Sequence, residues 1–396
     1  VRKSTLHDRW AALNASFGEG MGWERPMWFA PAGASNENVY SHTRPNWFEH
    51  TAGECRAARE AAILLDQSSF GKHLVQGRDA TAFLQRLCAG NVDVPLGKLV
   101  YTHMLNSRGG IETDITVNRL AEDRYLIISS ATAHPRDKAW IERHINGDEN
   151  VTLTDMTSAY TVLSLQGPRS REILSQLADV ELSNEAFPFA TSQEIDLGYA
   201  RVIANRLTYV GELGWELHIP TEFAQGVFDA VMTAGADQGL RPAGYHALEH
   251  LRSERAYREY ELDLTPEDTP LEAGLGFTVK LDKPGGFIGR DALLRQKEAG
   301  PLAKRVVMFK LRDSEPVLFH EELIRRDGDI VGYISSGAYG FTLGASVGMG
   351  YVNHPDGVTK EYVGSGEWEI EIACERYPAE ASLRAFFDPA GERVKI

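Results

Sequence analysis

The chain reads as an α+β protein, with two units built on antiparallel strands followed by an all-β barrel or sandwich. Three observations predict this. First, Leu74-Val-Gln-Gly77-(x)5-Phe83-Leu84-Gln85-Arg-Leu87 is echoed by Ser164-Leu-Gln-Gly167-(x)5-Ile173-Leu174-Ser175-Gln-Leu177, so that a strand ending in glycine twice opens a short amphipathic helix. Second, each copy continues through a glycine hairpin into alternating strands, Asp114 to Val117 and Trp215 to Ile219, and is closed by a helix, around Pro135 to Ile145 and Phe223 to Ala234. Third, from about Arg305 short strands alternate with turn signals and no convincing helix intervenes.

In chain order, residues 1–48 form an aromatic arm or linker, with Trp23, Trp28, Phe29, Trp47 and Phe48 among glycines and prolines. It is too aromatic to be free, and packing along the surface of the body is the expectation. A helix is expected from about Ala52 to Leu65. The first α/β unit then spans 49–147, the second 148–283, and the β-domain 284–396, opening with a helix over Asp291 to Ala299. Its strands are Val306–Leu311, Glu322–Ile324, Ile330–Ile334, Ala345–Val352 and Trp368–Ala373.

The chain has 396 residues, 43% hydrophobic and 24% charged, an ordinary globular composition with ample core. No run approaches the ~20 apolar residues of a bilayer span, and no signal-peptide pattern stands at the start. Val1 in the place of Met points to a processed chain or to a piece of a longer one. A net charge of −15 without a basic stripe argues against a nucleic-acid surface. Cys55, Cys88 and Cys374 are odd in number and form no CxxC, which reads as three buried thiols in a reducing compartment, cytoplasmic or, in a eukaryote, the mitochondrial matrix.

The most informative stretch is Tyr101 to Val117. Asn106-Ser-Arg-Gly109-Gly110 is a turn whose glycines can take positive φ. Beyond it, period-2 alternation sends Thr113, Ile115 and Val117 to one face and Asp114 and Thr116 to the other. Asp114 is then a short, unpaired carboxylate on a rigid strand beside a hydroxyl, a suitable acid/base group. Tyr209-Val-Gly211-Glu-Leu-Gly214-Trp215-Glu216 holds the matching place in the second unit. If the units pack face to face, Asp114 and Glu216 share a cavity, and a strand carboxylate suits the N–H/NH2 edge of a pterin or purine. The plain alternative is an edge carboxylate in water.

Other motifs carry less. His246-x-x-Glu249-His250 matches a zinc-peptidase helix but lacks a downstream carboxylate ligand, so no metal is assigned. Arg252 on the same helix is a long cation suited to a carboxylate. Gly18-x-Gly20-x-Gly22 lacks the strand and helix of a dinucleotide fingerprint, and no GxxxxGK[ST] or GxSxG is present.

Several ordered blocks resemble the glycine-cleavage T-protein (aminomethyltransferase) superfamily over about residues 49–390. They are Asp66-Gln-Ser-Ser-Phe-Gly-Lys72, Tyr101-x-x-Met-Leu-Asn-x-x-Gly-Gly-Ile-x-x-Asp114-Ile-Thr-Val117, Leu165-Gln-Gly-Pro168, Tyr209-x-Gly-Glu-x-Gly-Trp-Glu216, Leu251-Arg252-x-Glu254, Phe287-Ile-Gly-Arg-Asp-Ala-Leu293 and Ser336-Gly-x-Tyr-Gly-Phe-Thr-Leu-Gly344. With the Gly22-Trp-Glu-Arg-Pro26 arm, the chain looks most like the folate-binding C-terminal half of dimethylglycine and sarcosine dehydrogenases and oxidases. The resemblance implies a three-domain cloverleaf around a central folate channel, with tetrahydrofolate as cofactor. It implies Asp114 as the catalytic aspartate and Tyr101, Thr116, Tyr209, Glu216 and Arg252 as folate-site residues.

The activity implied by the resemblance is one-carbon transfer to tetrahydrofolate from an N-methylated, dimethylglycine- or sarcosine-like donor. The implied partners are that small-molecule donor and a flavin-containing module or subunit, with neither nucleic acid nor membrane. A stand-alone, flavin-independent demethylase and a non-catalytic folate-binding module are the alternatives. Nothing in the chain itself could bind FAD. Ala247-Leu-Glu249 stands where the T-protein has Ala-Arg-Asp, which argues against a lipoyl-protein partner. Lys283-Pro-Gly-Gly-Phe-Ile-Gly-Arg290 lacks the cysteine of the tRNA-modifying relatives.

Overall fold

The computed structural model describes residues 1–396. One five-stranded antiparallel sheet runs Leu99–Leu105, Ile111–Ala121, Arg124–Ser129, Gly71–Gln76, Thr152–Asp155 in spatial order. A six-stranded sheet runs Thr191–Leu197, Ala200–Arg206, Gly214–Pro220, Tyr160–Gln166, Ala62–Asp66, Leu240–Pro242, with only the last pair parallel. The C-terminal strands close into a six-stranded barrel rather than a sandwich, and Glu375–Ser382, a strand beyond those expected, closes the ring against Lys304–Leu311.

The echo between the units is structural. Gly77 and Gly167 each end a strand before a helix, with φ of 133° and 127°. A Cβ would meet the Asn150 carbonyl oxygen at 2.1 Å in the first unit and that of Ala61 at 2.5 Å in the second. Only glycine combines that φ with so close a backbone.

The structure corrects the expected boundaries. The helix expected to reach Leu65 ends at Glu60, and Ala62–Asp66 is a strand with all five residues buried. That strand belongs to the second sheet, pairing with Tyr160–Gln166. Conversely Thr152–Asp155 pairs with Gly71–Gln76 in the first. The units therefore exchange a strand each. The arm is also more than a surface strap. Leu6, Trp10, Ala15 and Phe29 enter the core of the second unit with Trp215 and Phe228, so truncating the fully buried Trp10 should cost about 3–5 kcal/mol. Cys55 and Cys88 are buried, but Cys374 is exposed in the turn between two barrel strands.

A buried ion network fastens the second unit to the barrel. Arg59 pairs with Glu212 at 2.9 Å and Glu254 at 2.8 Å, Arg393 reaches Glu212 at 2.7 Å, and Glu254 accepts from the Thr342 backbone and hydroxyl of the barrel. Glu212 and Glu254 are almost fully buried, so removing one partner would strand a charge in the interior.

Candidate functional site

The two sheets face each other across a common layer. On Ile111–Ala121, the odd positions Ile115 and Val117 join the helix-covered core of the first unit. On Gly214–Pro220, Trp215, Leu217 and Ile219 do the same in the second. The alternate positions of both strands are thereby turned toward one another. Leu126, Ile128 and Ile203 pack across this layer, and the Asn118 amide donates to Ser192 Oγ at 2.8 Å and Asn205 Oδ1 at 3.2 Å.

On the first sheet, cross-strand register sets four side chains in a square: Tyr101 opposite Thr116, and His103 opposite Asp114. The turn that fixes this register needs both glycines for different reasons. Gly109 takes a φ of 87°, while a Cβ on Gly110 would sit 1.9 Å from the Pro266 carbonyl oxygen. Tyr101 is 36% exposed and lines the wall. Burial of its hydroxyl end, and then the Asp114 charge, push its pKa well up. Thr116 is half-buried.

Asp114 is not the unpaired carboxylate expected. His103 Nε2 lies 3.0 Å from Asp114 Oδ1, although the angle is too poor for a hydrogen bond and both buried atoms remain unsatisfied. The other side of the ring explains the arrangement. Thr278 Oγ1 donates to the Leu275 carbonyl at 2.7 Å, so it accepts from His103 Nδ1–H at 3.1 Å. That assignment leaves the Nε2 lone pair on the side of the carboxylate oxygen. His103 is the residue the sequence reading missed. Its position two residues from Tyr101 on the partner strand of Asp114 was the available signal.

On the second sheet, Glu216 stands opposite Asn205 and Ser164. It is 8% exposed, and no group of the chain donates to its carboxylate. Burial pushes its pKa up to about 7, only partly offset by Lys72. Lys72 is itself fully buried and donates to the carbonyls of Ser68 and Phe70 at 2.9 Å, its pKa brought down by burial to about 7. Further buried polar atoms on the same layer lack partners: Asn118 Oδ1, Gln166 Oε1 and His218 Nδ1. Each such atom costs about 1–3 kcal/mol, and their gathering on one surface marks where a polar ligand would satisfy them.

The remaining expected site residues, Tyr209 and Arg252, are held by contacts within the chain. Tyr209 donates to the Arg258 carbonyl at 2.7 Å and stacks on Tyr257 at 5.9 Å. Arg252 is buried, and its donors go to Glu249, Glu259, Asp263, Ser336 and the Tyr257 carbonyl, with ion pairs of 2.8, 3.0 and 2.8 Å to the three acids. The carboxylates it suits are thus the chain's own, and a direct contact with a ligand would require exchanging one of them. His250 Nδ1 lies 2.8 Å from the Tyr339 carbonyl, and His246 stacks on Trp47 at 4.9 Å. An open cleft of about 670 Å³ lined by Leu271, Val279, Lys280, Lys297 and Arg305 contains none of the site residues.

Comparison with known proteins shows the family of the chain. The family model of the GCVT N-terminal domain matches residues 6–283, and that of the glycine cleavage T-protein C-terminal barrel domain matches 304–388. The chain is 40% identical over 395 residues to 4-methylaminobutanoate oxidase (formaldehyde-forming) of Paenarthrobacter nicotinovorans, covering 100% of this chain and 47% of that protein. It is 37% identical over 435 residues to human mitochondrial sarcosine dehydrogenase, with the same coverages. It spans about half the length of these curated relatives. Among solved structures, aminomethyltransferase T of the glycine cleavage system from Bartonella henselae superposes with a TM-score of 0.82 over 98% of both chains at 23% identity, a likeness of fold.

Proposed function

The chain belongs to the glycine-cleavage T-protein family, and from that premise we propose that it captures a one-carbon unit on tetrahydrofolate after an N-methylated amino acid is oxidised. The observation that carries this reading is the pair of unsatisfied carboxylates on facing sheets, Asp114 with His103 beside it and Glu216 with nothing. The residues present fit a reduced folate. Glu216 offers a partnerless carboxylate to a donor edge, and the orphaned atoms of Asn118, Gln166 and His218 offer further hydrogen-bonding positions. When bound, tetrahydrofolate supplies the nitrogen nucleophiles that take up the carbon.

The chain's own part is to bind, orient and manage a proton. Glu216, Tyr101 and Tyr209 hold and flank the ring system, with Thr116 beside Tyr101. Arg252 keeps Glu249, Glu259 and Asp263 in place behind it. The Asp114 carboxylate steadies cationic character developing at the reacting nitrogen while ionised, and then takes the proton shed there. His103 Nε2 lies 3.0 Å from the other, buried side of that carboxylate.

The relatives' names support the substrate class, since 4-methylaminobutanoate and sarcosine are both N-methylamino acids, and "formaldehyde-forming" supports a carbon delivered at the formaldehyde level. An oxidant is then required, and we assign it to a flavin-containing module on the same or a partner chain. The test is turnover of N-methylamino acids by the intact protein with tetrahydrofolate, following methylene-tetrahydrofolate and free formaldehyde. Asp114→Asn should release formaldehyde in place of the folate product. If that variant forms the folate product as well as wild type while Glu216→Gln loses folate binding, the chain is a binding module and the catalytic reading fails.

A further inference from the structure

A second cluster of ligand-type side chains lies on the opposite, helix-covered face of the first sheet. His73 on Gly71–Gln76 stands directly opposite Asp155 on the edge strand Thr152–Asp155. His134, the first residue of helix His134–Arg143, reaches down onto this corner. Its ring stacks on that of His73 at 4.9 Å with 11° between planes. Its Nε2 lies 3.1 Å from Asp155 Oδ2 and 3.1 Å from Thr157 Oγ1. One ligand-capable atom from each of His73, His134 and Asp155 lies within 4.8 Å of the other two.

The arrangement is unexplained as packing alone. His73 is fully buried, yet neither ring nitrogen has a hydrogen-bond partner. A buried imidazole with both nitrogens idle forfeits about 1–3 kcal/mol per polar atom, and an apolar side chain would fill the place at lower cost. A bound cation gives that ring a partner.

We propose that His73, His134 and Asp155 form a binding site for a divalent transition metal of the zinc class, pinning the start of helix His134–Arg143 to the sheet edge. Two imidazoles and one carboxylate are a common three-ligand set for zinc, with water in the fourth place. Asp155 is at the surface, its side chain 37% exposed, which leaves a route for the ion and room for the water. Ligands on a tetrahedron with ~2.1 Å bonds sit about 3.4 Å apart. His134 and Asp155, at 3.1 Å, are near that spacing, and bringing His73 onto them from within 4.8 Å takes a shift of up to about 1.4 Å with a turn of one imidazole out of the stack, because its lone pair lies in the ring plane.

This site is separate from the folate layer, so its test does not depend on the reaction. Chelator-treated protein is titrated with Zn²⁺ by calorimetry and with Co²⁺ by visible absorption. The expected result is one equivalent bound, a d–d spectrum of low-symmetry cobalt, and a rise in thermal midpoint with Zn²⁺. His134→Gln and Asp155→Asn, both at the rim, should each weaken binding at least ~10-fold and abolish the thermal shift. His73→Gln should do the same; should it fold poorly, the two rim variants still decide the matter. Absence of stoichiometric binding, or binding of equal affinity in the His134→Gln/Asp155→Asn double variant, overturns the proposal.

Discussion

The strands Ile111–Ala121 and Gly214–Pro220 hold equivalent places in the two units, and each presents one carboxylate to the shared layer. Their surroundings differ. Asp114 has an imidazole nitrogen 3.0 Å away and a side chain 16% exposed. Glu216 has no partner, and burial pushes its pKa up to about 7. A carboxylate beside a basic nitrogen can receive and return a proton. A carboxylate left without a donor is a vacancy for hydrogen bonds from something else. One scaffold used twice thus yields a group suited to chemistry and a group suited to recognition, and the neighbours rather than the fold make the difference.

Exchanging each acid for its amide breaks the comparison most directly. Asp114→Asn should lower formation of the folate product by about 10²–10⁴-fold, the range for a lost acid/base group, with tetrahydrofolate affinity changed less than about threefold by equilibrium fluorescence. Glu216→Gln should do the opposite, weakening affinity about 10–100-fold, as expected for lost charge-assisted hydrogen bonds, with turnover at saturating folate nearly intact. Equal effects of both variants on both quantities would erase the distinction.

The pH dependence sharpens it further. Glu216 must be ionised to accept from a donor edge, so wild-type affinity should fall as pH drops through about 7, and this dependence should vanish in Glu216→Gln. Stability runs the other way. With its folded pKa raised above that of the unfolded chain, Glu216 favours the fold at pH below about 4.5 and loses that contribution as pH rises through about 7. A shift from 4.5 to about 7 corresponds to roughly 3 kcal/mol. Between pH 5 and 8, Glu216→Gln should therefore gain stability relative to wild type by on the order of 2 kcal/mol, measured by urea unfolding without ligand. A flat difference across that range would mean that Glu216 finds a partner in the folded chain.

Much of this was legible in the sequence, for reasons tied to particular residues. Gly77 and Gly167 announced the repeated strand–helix turn because no other residue tolerates their φ and crowding. Alternation about Ile115 gave the face of Asp114. What periodicity could not give was long-range pairing. The exchange of Ala62–Asp66 and Thr152–Asp155 between sheets rests on partners about one hundred and about eighty residues distant, and a buried strand such as Ala62–Asp66 has no alternation to separate it from the helix before it. The partners of Arg252 were hidden similarly. Glu259 and Asp263 lie beyond the helix in a segment without regular structure, so an inward cation read as open to a ligand. The cluster of His73, His134 and Asp155 has no spacing signature, because three different elements supply it.

His103 was the least legible member of the site and gives the smallest predicted effect, yet it tests the comparison most finely. Its Nδ1–H is held by Thr278, which fixes the ring with Nε2 toward Asp114. If that nitrogen shares the proton taken by Asp114, His103→Gln should lower the rate of folate-product formation about tenfold, the loss of one interaction with a charged group, and leave folate affinity unchanged, since His103 is fully buried behind Asp114. The conservative variant His103→Asn cannot reach both neighbours and should behave alike. A merely structural His103 would instead lower the thermal midpoint of both variants and leave the pH profile of turnover in its wild-type shape. A displaced profile at unchanged stability is what the shared proton requires, because only then does the imidazole, rather than the strand beneath it, distinguish Asp114 from Glu216.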